Sequence, residues 1–224
     1  MAFLWGLTVL MLMSCTTSTA DDKEYSEAFL KLLYVFNGKF SDGPVVEAYK
    51  NVKKPKVDVP KLLYVTATPV EIPALAPAVT FYYEKYVENS LYRRLILVFK
   101  EENGQIFAQP YNITSPPNDL SKPFTIDQVK KLTSNDLTTT DACKIQFTRK
   151  GANSFTALWP DCKVQDNGVF PKYHLTWSCD SLMAIISSPK HLDYTTSPVA
   201  LIREAPRYPF PSYLKAVEDN SFCQ

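Results

Sequence analysis

The chain has 224 residues, of which 46% are hydrophobic and 21% charged, enough apolar material for one sizeable domain or two small ones and too much for wholesale disorder. A formal net charge of +1, from 24 Lys and Arg against 23 Asp and Glu, argues against a partner tracked through its phosphates, whether nucleic acid or an anionic membrane surface. Six Gly beside seventeen Pro, with no G-x-G-x-x-G and no G-x-x-x-x-G-K-[ST], argue against phosphate-cradling loops, and two histidines cannot supply a His-rich metal site.

The first segment is an apolar run, Phe3 to Met13, too short to span a bilayer. Small residues from Ser14 to Ala20 follow, and then the charges of Asp21-Asp22-Lys23. This order reads as a secretory signal peptide over residues 1–20, cleaved after Ala20 with Ser18 and Ala20 as its small positions, and leaves 21–224 as the mature domain. Leu12-Met13-Ser14-Cys15 is a competing site, loosely similar to a bacterial lipobox in which Cys15 would carry lipid. Asn112-Ile113-Thr114 is an N-glycosylation acceptor pattern at Asn112, which suits an animal secretory route better. No second long apolar stretch follows, so the mature chain is expected to be extracellular and without a membrane span.

Beyond Asp21-Asp22, which can cap a helix, Phe29, Leu32, Leu33 and Phe36 recur at helical spacing and predict an amphipathic helix ending near Asn37-Gly38. The polar segment from Asp42 to Pro60 reads as a loop. Strand patterns then run from Leu62 to Thr68, Val79 to Val87 and Tyr92 to Phe99. Asn103-Gly104, between Phe99 and Ile106, is a strong hairpin signal. A helical turn is expected over Ile126 to Leu132, a hairpin from Lys144 to Trp159, and further strands over Tyr173 to Ser178, Leu182 to Ile186 and Val199 to Arg203. Strands and hairpins without alternating long helices predict a mainly β chain, a single antiparallel barrel carrying an N-terminal helix.

Removing the leader takes Cys15 and leaves Cys143, Cys162, Cys179 and Cys223, which in an oxidising compartment allow three pairings. Cys143 and Cys162 flank a predicted hairpin and could close it, leaving Cys179 to hold the tail through Cys223. A loop of the first size would stabilise by about 3 kcal/mol on the entropy model. No spacing is C-x-x-C, so zinc and thioredoxin-type chemistry are not expected.

The chemistry-bearing candidates lie inside strong strands. In Phe81-Tyr82-Tyr83-Glu84-Lys85-Tyr86-Val87, alternate side chains share a face, so Tyr82, Glu84 and Tyr86 point together. Leu91-Tyr92-Arg93-Arg94-Leu95 brings two guanidinium groups onto the adjoining strand. Lining a lumen, such a face would receive an elongated, mostly apolar ligand with a few charged groups; on the outer wall it would simply be solvated. No catalytic residue is assigned: a Ser-His-Asp triad lacks a G-x-S-x-G elbow, His174 is expected to be packed in a strand, and His191 falls in a loop. Trp159 and Trp177 read as core aromatics.

These segments resemble the CpcT/CpeT-type chromophore lyases (phycobiliprotein lyases), whose hallmark is an F-Y-x-E-Q strand followed by P-Y-R-x-R. Here the two stand as Phe81-Tyr82-Tyr83-Glu84-Lys85 and Leu91-Tyr92-Arg93-Arg94-Leu95. Asp136-Leu137, Ala142-Cys143-Lys144, Ser154-Phe155, Asp161-Cys162 and the opening Phe36-Asn37-Gly38-Lys39-Phe40-Ser41 follow the same order as the family pattern. Lys85 replaces the pattern's Gln, Leu91 its Pro, Leu95 its second Arg and Ala142 its Gly. The resemblance implies a lipocalin-like (calycin) barrel holding a linear tetrapyrrole, a bilin, which family members present to a cysteine of a client phycobiliprotein. By position it assigns Glu84 and Arg93 to the pocket, with Arg93 rather than Arg94 turned inward, although strand parity alone allows either.

The candidate ligand set is therefore Tyr82, Glu84, Tyr86, Tyr92 and Arg93, with a bilin as the ligand, no covalent cofactor and no metal. The expected function is a secreted carrier or pigment protein for that bilin or a similar small amphipathic molecule. The alternatives are a chromophore lyase with a client protein and a structural extracellular-matrix protein without ligand.

Overall fold

A computed structural model describes residues 25–51, 61–114, 122–139, 143–159, 172–187, 198–218 and 222–223. The expected leader, Cys15, Cys162 and His191 lie outside them. The chain forms helix α1 (Glu27–Phe36), strand β1 (Gly38–Ser41), helix α2 (Gly43–Asn51), then β2 (Leu63–Pro69), β3 (Val79–Val87), β4 (Ser90–Glu102) and β5 (Gln105–Ile113). Helix α3 (Ile126–Lys130) precedes β6 (Leu137–Thr139), β7 (Ile145–Gly151), β8 (Ser154–Leu158), β9 (Lys172–Trp177), β10 (Ser181–Ser187), β11 (Val199–Arg203) and the short α4 (Lys215–Glu218).

All pairings are antiparallel, in the order β4-β3-β2-β1-β11-β10-β9-β8-β7-β5, and pairing of β4 with β5 closes the ring. Strand β6 stands outside the ring, joined to the end of β5 at Tyr111 to Ile113, just past the stretch that pairs with β7. Closure removes the exposed edges that an open sheet of this size would present. The turn between β4 and β5 holds Asn103 and Gly104 at φ 52° and 74°, the left-handed pair that an Asn-Gly hairpin requires.

One side of the wall is the lumen, because its core cluster draws on every strand of the ring, from Phe40 of β1 through Phe81, Phe99, Ala108, Phe147 and Trp177 to Leu201 of β11. Helix α1 plugs it. The Phe36 ring meets Phe81, Phe99, Phe147 and Trp177 at centroid distances of 5.3, 5.1, 6.3 and 5.0 Å, side chains that belong to four different strands. Burying a Phe this completely is worth about 3–5 kcal/mol against its truncation to Ala.

The cap of α1 is Ser26 rather than Asp21-Asp22: its hydroxyl accepts the Phe29 amide at 3.1 Å. At the other end, carbonyls left without helical partners are filled by two arginines. Arg203 donates to Val35 O at 2.8 Å and to Asn37 O, and Arg207 donates to Tyr34 O at 2.8 Å. Burial lowers the Arg203 pKa to about 10, with the charge of Arg207 adding to the effect. Gly38 follows at φ 137°, where a Cβ would collide with the Arg203 guanidinium.

The segment read as a loop from Asp42 instead opens with α2. Its amides at Val45 and Val46 bond to Asp42 O at 2.9 Å each, and Asp42 Oδ1 accepts Leu63 N at 2.8 Å. Only Val46 of this helix is buried, so no apolar stripe marked it in the sequence. A second core lies on the outer wall, where α3 and its flanks cover β3 and β4 through Val129, Phe124, Tyr82, Ile96 and Val98. A disulfide joins Cys179 to Cys223 with 5.6 Å between their Cα atoms. Cys143 is disulfide-bonded too, and its expected pairing with Cys162 falls outside the described residues.

Candidate ligand-binding site

Alternation along β3 sends Phe81, Tyr83 and Lys85 to one side of the wall and Tyr82, Glu84 and Tyr86 to the other. Phe81 belongs to the luminal core and Tyr82 to the outer cluster. The expected triplet therefore does share a face, and that face is the outside of the barrel. It is neither luminal nor solvated: Tyr82 and Glu84 are 2% and 8% exposed.

A network fastens this face to the cover. Tyr82 donates its hydroxyl to Glu84 Oε1 at 2.7 Å and accepts the Phe124 amide at 3.2 Å. The Thr66 hydroxyl donates to Glu84 Oε2 at 3.3 Å, and Tyr86 stacks on Tyr64 with centroids 4.4 Å apart. Arg94 stands opposite Glu84 in register and is 6% exposed; it donates to Lys122 O at 2.9 Å and lies 4.0 Å from the centre of the Phe124 ring. Burial, with Glu84 beside each hydroxyl, pushes Tyr82 and Tyr86 well above the ordinary tyrosine pKa. Every one of these polar groups is turned to a neighbour in the wall or the cover, which is the geometry of a latch.

Arg93 lies on the other side. Its register partner is Lys85, and it shares strand parity with Leu95 and Leu97 of the luminal core. The expectation that Glu84 and Arg93 face a common lumen is thus corrected, because pairing sets Glu84 against Arg94 and Lys85 against Arg93. A register shift between Lys85 and Tyr86 accompanies this pairing. It leaves Tyr92 as the extra residue of β4 between Leu91 and Arg93.

Arg93 is exposed and Lys85 half-buried, and the Lys85 amine lies 5.1 Å from the centre of the Tyr92 ring, whose residue is 58% exposed. Burial, and then the Arg93 charge, lower the Lys85 pKa below the ordinary lysine value. Ion pairs among the described residues join Lys31 to Glu27, Lys39 to Glu204, Lys61 to Glu88 and Lys144 to Glu102; neither Lys85 nor Arg93 is in one. Lys85 is four residues along β3 from Phe81, about 13 Å at the rise of a strand, which puts it at the rim away from the α1 plug. Between plug and rim, Leu63, Tyr83, Leu175 and Val199 are half-buried against the luminal core.

Of the five candidates, Tyr92 and Arg93 come together at the luminal rim, and Tyr82, Glu84 and Tyr86 come together outside. Lys85, absent from the candidate set, joins the rim group; its signal was its odd-numbered parity with Phe81 inside the same motif. Trp177 is buried in the lumen as expected, whereas His174 is exposed on the outer wall opposite Leu158 and Ile185. Asn112 is exposed on β5, in register with Thr138.

A separate recess of about 320 Å³ lies outside the plug, lined by Tyr34, Pro206, Arg207, Tyr208, Phe210 and Glu218. Arg207 is already committed there to Tyr34 O, to Cys179 O at 3.1 Å and to stacking on the Tyr34 ring. Among the described residues no group of three or more His, Cys, Asp and Glu side chains could hold a metal ion.

No family model matches the chain, and no curated protein sequence is similar to it. Among solved structures it is similar to the T-type phycobiliprotein lyase CpeT from Prochlorococcus phage P-HM1, with a TM-score of 0.50 and 13% sequence identity over 80% of this chain and 100% of that one. At that identity the likeness concerns the fold, a closed lipocalin-like barrel.

Proposed function

We propose that this protein is an exported binder of a linear tetrapyrrole, or of a chemically similar amphipathic carboxylate, which it carries with the ligand's apolar body towards the end of the lumen away from α1 and a carboxylate on Arg93. The observation that carries this reading is the asymmetry of the barrel. One end is sealed by an aromatic plug, while towards the other end the luminal side chains Leu63, Tyr83, Leu175 and Val199 are only half-buried and Arg93 has no acidic partner among the described residues. An apolar cleft with a few fixed polar groups is the usual form of a small-molecule site. Likeness in fold to a phycobiliprotein lyase supports a bilin over other carboxylates. The Cys179–Cys223 disulfide supports an oxidising compartment, and exposure of Asn112 fits a glycan there.

The test is the visible absorbance of the natively purified protein, before and after addition of biliverdin. A saturable, shifted bilin band supports the reading; a spectrum that is the sum of its parts overturns the tetrapyrrole. The same likeness in fold favours chromophore lyase as the second reading. Lyase activity requires a client, so transfer of bilin to an acceptor cysteine separates it from carriage.

A further inference from the structure

The luminal rim holds two cations facing one another across the β3–β4 pair, Lys85 opposite Arg93. Directly paired residues on antiparallel strands hold their Cβ atoms about 4.5–5.5 Å apart, and like charges in that position repel. A wall built by packing alone would place an apolar pair or opposite charges there, as it does in the outer row, where Glu84 faces Arg94. The cost of the like-charge pair rises with burial, and Lys85 is half-buried with the ring of Tyr92 beside its amine.

We propose that Lys85 and Arg93 form a two-cation anchor for a ligand bearing two carboxylates on one apolar body, one cation supplied by β3 and the other by β4. The anchor rests on the reading of the rim as a ligand entrance, but it concerns the ligand's charge count rather than its chromophore. One carboxylate takes the Arg93 guanidinium bidentately and the other takes the Lys85 ammonium, so each cation gains a counter-charge and their mutual repulsion is relieved. The depressed basicity of Lys85 in the free protein agrees with an amine awaiting an anion.

The experiment compares hexadecanedioate with its monomethyl ester, and biliverdin with its monomethyl ester, by isothermal titration against the natural chain, Lys85→Met and Arg93→Met. Circular dichroism verifies that each variant keeps its strands. The natural chain is expected to bind the diacid at least tenfold more tightly than the half-ester, and Lys85→Met is expected to abolish that preference while retaining affinity for the half-ester. Equal affinities for diacid and half-ester, a preference that survives Lys85→Met, or no binding of either would overturn the anchor. The two readings fail separately: a diacid preference with no response to biliverdin overturns the tetrapyrrole and keeps the anchor, and equal binding of biliverdin and its monomethyl ester does the reverse.

Discussion

Glu84 and Arg94 face one another on the outer wall, and Lys85 and Arg93 face one another at the luminal rim, so two adjacent arginines have opposite jobs. Arg94 is buried, bonded to Lys122 O and stacked on Phe124; its truncation to Ala should destabilise by about 1.5–3 kcal/mol, the range for a hydrogen bond to a charged group. Arg93→Ala, at an exposed position, should stay within about 0.5 kcal/mol of the natural chain. Urea midpoints at constant slope measure both, and equal losses would mean that the cover is not fastened through Arg94. The tyrosines of the latch give the fold a particular response to alkali. Their folded pKa values lie above the unfolded value near 10, so above about pH 10 the unfolded chain gives up protons that the folded chain keeps, and stability falls as pH rises. Tyr82→Phe and Tyr86→Phe should each flatten that decline in urea unfolding measured between pH 8 and 11; an unchanged slope would show that these hydroxyls ionise freely in the fold.

Among the elements, the plug and its clasp carry the greatest weight. Phe36→Ala opens a void between four rings and should cost about 3–5 kcal/mol. Gly38→Ala should destabilise as well, since it forces a side chain into left-handed backbone and against the Arg203 guanidinium that closes α1. A thermal melt indistinguishable from that of the natural chain would mean that Arg203 is not held there. Most strands were legible from residue type, with β3 and β11 recovered to the residue, because β-branched, aromatic and aliphatic residues dominate them. Strands β1 and β6 were not. Gly38-Lys39-Phe40-Ser41 has no strand propensity of its own and becomes a strand because β2 and β11 pair with it on either side. The face shared by Tyr82, Glu84 and Tyr86 was legible from parity. Whether that face looks inward was not, because the α3 cover that buries it comes from residues some forty positions away.

At the scale of the whole molecule, a sequence with few sharp motifs forms a closed barrel with two distinct interiors: a lumen sealed at one end by α1, and a thin outer core beneath α3. The F-Y-x-E segment serves both, since its odd-numbered side chains fill the lumen and its even-numbered ones fasten the cover. Division of labour by parity lets the rim change its charge without disturbing the latch. The most direct test of this account is a titration of biliverdin into the natural chain and into Arg93→Ala and Arg94→Ala, followed by visible absorbance. Loss of a charge-assisted bond that the bound ligand shields from water corresponds to roughly ten- to a hundred-fold in affinity. Saturable binding by the natural chain is expected, with weakening of that order in Arg93→Ala and near-natural affinity in whatever fraction of Arg94→Ala remains folded. Equal affinities for the natural chain and Arg93→Ala, or no saturable binding at all, would contradict the account.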